Sequence, residues 1–188
     1  MTHPLLAYFA QFIPLSPVIE DAVAASFMHQ SLKRGDYLLE AGQTASYAHF
    51  VVSGALRVFT HTERADITIW LGLAGSMVVS LPSFIERKPS PEWIQAIDDT
   101  RVYSVHYNAL QQLYDAHPEL DRLGRLLIER YAIQLREHGF SLRCHTTTER
   151  YENLLRQRPE LFEQVPLTHI ASFLGMTPQA MSLARAKR

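Results

Sequence analysis

The 188-residue chain has a single cysteine, Cys144. One thiol cannot form an intrachain disulfide, hold an iron–sulfur cluster or build a cysteine-based zinc finger. No run reaches the roughly 18 uninterrupted apolar residues of a membrane span, so none is expected. Met1 to Ala10 lacks a basic segment and carries His3 and Pro4, which argues against a signal peptide. Internal repeats and low-complexity linkers are missing too. These absences imply a soluble protein of a reducing compartment, the cytoplasm, with no membrane partner.

The charge is unevenly placed. Residues 1–117 hold seven Lys and Arg against eleven Asp and Glu, whereas residues 118–188 hold eleven against eight. Val165 to Arg188 contains no acid at all. A basic end on a near-neutral chain suits a polyanion partner, although a solvated basic tail would look the same.

The chain has three textures. Leu5, Leu6, Phe9, Phe12 and Ile13 form an apolar stripe at helical spacing, and Ser16-Pro17 can start a second helix through Phe27; residues 5–30 are read as helical. From Lys33 to Tyr107, short apolar runs alternate with turn residues. Tyr37–Leu39, His49–Val52, Ala55–Phe59, Ile67–Leu71, Trp93–Ile97 and Arg101–Val105 read as strands of an antiparallel sandwich or barrel. After Asn108 a short helix ends near His117, and a long one is predicted over Pro118–Leu142. Its stripe runs through Leu120, Leu123, Leu127, Tyr131, Gln134 or Leu135, His138 and Leu142, with a second apolar edge at Leu126 and Ile133. Thr146 to Thr148 offers N-caps for a helix that ends before Pro159.

The most specific local signal is Pro166 to Leu183, read as helix, tight turn, helix. Ala171 is small where two helices would cross. Gly175 can take a left-handed turn, and Met181 can pack back on the first helix. Ile170 and Leu174 fill the space beneath. Thr177 can cap the second helix, with Pro178 in its first turn. These offsets agree with a DNA-binding helix-turn-helix, although any small helical hairpin needs similar residues. Thr177, Gln179, Ser182, Arg185, Lys187 and Arg188 are the candidate DNA-binding residues. Gln and Arg can read base edges, and Ser, Thr and Lys suit phosphates.

Taken together, the chain resembles the CRP/FNR family of bacterial transcription regulators. The resemblance rests on Leu32 to Gly42 and Phe50 to Val58, whose glycines and Arg57 match the family's roll pattern, and on the tail Val165 to Pro178. The tail looks like a divergent branch common in Bacteroidetes-type genomes. The resemblance implies an α+β fold: an N-terminal antiparallel β-roll of the cyclic-nucleotide-binding type with flanking helices, a long dimerisation helix and a C-terminal helix-turn-helix. It divides the chain into a sensor at 1–117, a dimerisation helix at 118–145 and a DNA-binding unit at 146–188. It also implies double-stranded DNA, a second copy of the chain and RNA polymerase as partners. The effector is left unnamed.

The ligand site departs from the family pattern. Val79-Ser80 stands where nucleotide-binding members have Gly-Glu, and Ser90 stands where they have the arginine that pairs with the cyclic phosphate. A buried phosphate without a guanidinium loses about 1.5–3 kcal/mol of charge-assisted hydrogen bonding. Val79, Ser80 and Ser90 therefore mark a degenerate pocket, and cyclic AMP or GMP binding is not expected.

Nine histidines are scattered without H-x-x-x-H or H-E-x-x-H spacing. The Cys144-His145 pair is adjacent, and neighbours rarely ligate one metal. No metal site or cofactor is expected. Ser53-Gly54 and Gly72 to Gly75 match no catalytic motif, so the chain is not read as an enzyme. A different reading stays open: a β-roll sensor or interaction module that does not bind DNA specifically. It is kept open by Pro178 and Leu183, which occupy positions where related recognition helices commonly carry arginine.

Overall fold

The computed structural model describes residues 3–63 and 65–186. In chain order the elements are α1 (Pro4–Phe9), α2 (Pro17–Ser26), β1 (Phe27–Leu32), β2 (Tyr37–Leu39), β3 (Tyr47–Ser53), β4 (Ala55–His61), β5 (Asp66–Leu73) and β6 (Met77–Val78). They continue with α3 (Leu81–Glu86), β7 (Trp93–Ala96), β8 (Thr100–His106), α4 (Tyr107–Ala116), α5 (Pro118–Cys144), α6 (Thr147–Gln157), α7 (Glu160–Gln164), α8 (Leu167–Phe173) and α9 (Pro178–Ala186). The α+β expectation holds.

Two antiparallel four-stranded sheets, ordered β1-β8-β3-β6 and β2-β7-β4-β5, make the roll. Phe50, Leu56, Val58, Ile94 and Val102 fill its interior. Arg57, the arginine of the roll pattern, is buried and ties strands together. Its Nε donates to Thr68 Oγ1 at 2.8 Å, and Nη1 lies 3.3 Å from Asp66 Oδ2. His49 is buried in β3, 2.8 Å from Ser104 Oγ, and burial pulls its pKa down to about 4. It is therefore a neutral core residue at physiological pH.

The helical reading of residues 5–30 is overturned at its end. Ser16 does cap α2, accepting from Ile19 N, but Phe27 turns directly into β1. This edge strand buries only Phe27 and Leu32 and exposes the four residues between them, so it shows no alternation. The short β6 and α3 also escaped the pattern. The long helix runs to Cys144, two residues past the predicted end, and is about 40 Å long at 1.5 Å per residue.

Leu120 and Leu123 are buried, and Leu126 and Leu127 pack against the roll. Farther along, the helix leaves apolar side chains in solvent. Ile128, Leu135 and Leu142 recur every seven residues, each at least 39% exposed. Tyr131 and His138 interleave with them, giving the 3–4 spacing of a coiled-coil seam. Ile133, of the predicted second edge, is also exposed.

The C-terminal helices do not stand apart. Leu71, Leu73 and Ile97 of the roll share one apolar cluster with Tyr151, Leu161, Ile170 and Phe173. Thr146 and Glu149 form a reciprocal capping box that opens α6 where the sequence offered the cap. No described helix is long and apolar enough to cross a membrane.

Candidate ligand cavity and nucleic-acid interface

A cavity of about 710 Å³ lies between the roll and the helices α4 and α5. Val58, Trp70, Met77 and Val79 form part of its roll wall, and Leu127 and Tyr131 face them from α5. This volume suits a small organic ligand. Of the three pocket residues expected from sequence, only Val79 lines it. Ser80 and Ser90 do come together, but they close on each other: their Oγ atoms are 2.9 Å apart and both residues are buried. Ser90 Oγ also accepts from Glu92 N and donates to Glu92 O, which fixes the loop before β7.

No guanidinium replaces the missing one. Arg87 sits in the left-handed region at φ 56°, donates from Nη1 to Ala45 O at 2.6 Å, and stacks over the Tyr107 ring at 4.4 Å. Lys88 is exposed and paired with Glu86 at 2.8 Å. The Ser80–Ser90 contact thus has no cation bonded to it among the described residues. Millimolar cyclic AMP is expected to leave the melting temperature unchanged. A ligand at 100 times its Kd would add about 2.7 kcal/mol, so a clear upward shift in a thermal melt would overturn this.

The second site is α8, the turn after it, and α9. Gly175 adopts φ +62°, as the turn requires. Arg150 secures the turn, its Nη1 donating to the carbonyls of Leu174 and Gly175. Thr177 Oγ1 accepts from Ala180 N at 3.1 Å, so the predicted cap is made. Ala171, Ile170, Leu174 and Met181 are all buried, as their offsets required, and Ala184 joins them. Thr177, Gln179, Ser182 and Arg185 are exposed on the other side, together with Leu183. Lys187 and Arg188 lie outside the described residues.

Sequence reasoning missed how this unit meets the roll. Ser172 of α8 accepts from Thr68 N at 2.9 Å and donates to Asp66 O at 3.0 Å, satisfying the free edge of β5. Phe173 stacks on His138 at 4.1 Å and meets the edge of Trp70 at 6.4 Å. Arg158 donates to Leu71 O at 3.3 Å. No spacing in the sequence marks this clamp, because its two sides lie about a hundred residues apart. Among the described residues, no group of three or more His, Cys, Asp or Glu side chains could hold a metal ion.

Residues 29–117 match the family model of the cyclic nucleotide-binding domain. The match covers a little under half of the chain. Within it, the hydroxyls of Ser80 and Ser90 close on each other. Among solved structures, FixK2 from Bradyrhizobium japonicum has a TM-score of 0.74 at 18% identity, covering 86% of this chain and 83% of that one. CLP of Xanthomonas campestris, described as a c-di-GMP responsive global regulator, has a TM-score of 0.72 at 15% identity, covering 92% and 91%. A CooA variant from Carboxydothermus hydrogenoformans covers 99% of this chain and 84% of its own, with a TM-score of 0.67 at 18% identity. No curated protein matches the chain. At these identities the likeness is one of fold: beyond its cyclic nucleotide-binding domain, the chain has the architecture of the CRP/FNR regulators.

Proposed function

We propose that the protein is a CRP/FNR-type transcription regulator that binds a two-fold DNA site as a homodimer. The observation that carries this reading is α9. Met181 and Ala184 anchor it to its own unit, and Gln179, Ser182 and Arg185 are exposed. Arg185 is the long cation suited to a bidentate contact with guanine, and Gln179 suits adenine. Thr177, Lys187 and Arg188 are assigned to phosphates. In this reading residues 1–117 sense, 118–145 pair two copies and 146–188 bind one half-site each. The cavity receives an effector other than a cyclic nucleotide, and RNA polymerase is the downstream partner.

Selection from a random duplex pool tests the reading. The protein is expected to enrich a two-fold sequence with half-site centres about 34–36 Å apart. A pool that stays unenriched would favour a roll module that does not read DNA.

A further inference from the structure

We infer that the cavity takes an organic cation: an ammonium group held by Glu92 and the Trp70–Tyr131 corner, carried on an apolar body that fills the remaining space. This rests on the reading of the cavity as the effector site and names the chemistry of its ligand.

The corner is built from three separate elements. Trp70 comes from β5, Tyr131 from α5, and Glu92 from the loop that the two serines hold before β7. The Trp70 and Tyr131 rings meet at 5.4 Å and 62°, so an indole and a phenol make a steeply angled aromatic wall of the cavity. Glu92 lines the same cavity, is half-buried, and makes no ion pair among the described residues. Burial first, and the Glu92 charge second, raise the Tyr131 phenol above its usual range. An unpaired, half-buried carboxylate beside two π faces lacks only a cation. Aromatic rings attract ammonium groups through their quadrupole, and a carboxylate adds a full charge.

The other charges on the wall do not change this sign. Arg125 is taken by Glu129 at 2.5 Å, and Arg158 by Glu160 at 3.5 Å and by the Leu71 carbonyl. Arg130 turns to the N-terminal end of the cavity, where its guanidinium lies over the Phe12 ring at 5.6 Å. Asp121, near Tyr114, adds a further negative charge. An anionic ligand at the Trp70–Tyr131 corner would meet the Glu92 charge, and Arg130, the cation of the cavity wall without a carboxylate partner, lies instead over Phe12. The corner also has a reader: the Trp70 indole packs at 6.4 Å and 86° to Phe173 of α8, which precedes the recognition helix. A cation seated there bears directly on the contact that holds the helix-turn-helix to the roll.

Calorimetric titration of the full chain with benzyltrimethylammonium and, separately, benzenesulfonate tests the inference. The cation is expected to bind at least about tenfold more tightly than the anion. Glu92→Gln, a change of one atom, should abolish that preference while the protein melts normally. Trp70→Phe should weaken the cation and leave the anion unchanged. The inference fails if the anion binds as well as the cation, if Glu92→Gln keeps the preference, or if neither probe binds. The outcome is separable from DNA recognition. DNA selection by the parent protein without either probe is scored on its own, so failure of the titration and failure of the DNA reading are told apart.

Discussion

Leu135→Glu is expected to sediment as a monomer at concentrations where the parent protein is a dimer. Leu135 is the middle residue of the Ile128, Leu135, Leu142 seam, and it is 45% exposed. In a two-fold pair each such side chain would bury about 2 kcal/mol of apolar surface. The variant forfeits that twice, and the carboxylates must in addition be desolvated against a partner. The loss is about 4 kcal/mol or more, roughly a thousandfold in dimer dissociation. Leu135 is a cleaner probe than Leu127, which the sequence stripe had favoured. Leu127 is half-buried, lines the cavity and packs on the roll core, so a charge there injures the sensor as well. A Leu135→Glu protein that remains dimeric would place the interface elsewhere.

Gly54→Ala is expected to lower stability by about 3 kcal/mol, or roughly 6–12 °C in Tm for a chain of this size. Gly54 joins β3 to β4 at φ +83°. A Cβ there would sit 2.5 Å from the Asp99 carbonyl oxygen and 2.8 Å from the Thr100 Cα, both backbone atoms. That segment cannot retreat, because Thr100 is buried and its Oγ1 is held by Ala55 and Asp98. Gly35→Ala is the control. It has the same backbone handedness at φ +98° but open space around the added carbon, so only the conformational cost of about 1 kcal/mol applies. Equal losses in the two variants would show that the close approach at Gly54 does not matter.

What could be read from sequence was what is local. The helix-turn-helix was legible because Ala171, Gly175, Thr177 and Met181 act within a few turns of one another, and their spacing carries the geometry. Strands β3, β4, β5 and β8 were legible from short apolar runs between turn residues. β1 was not, because an edge strand that exposes Met28 to Ser31 has no reason to alternate. The serines' mutual contact was not legible: Ser80 and Ser90 were expected to line a ligand pocket and instead face each other. The Trp70, Glu92 and Tyr131 corner was out of reach. It depends on a strand, a loop and a helix meeting across the cavity, and no spacing along the chain encodes that meeting.

Binding of the parent protein and Arg185→Ala to the selected DNA, measured by fluorescence anisotropy with each base pair of one half-site varied in turn, tests the central claim most directly. The account predicts that Arg185→Ala costs about 1–3 kcal/mol and loses its preference at one base pair while keeping it at the others. Unchanged affinity and unchanged base preference would contradict it and remove α9 as the reading helix.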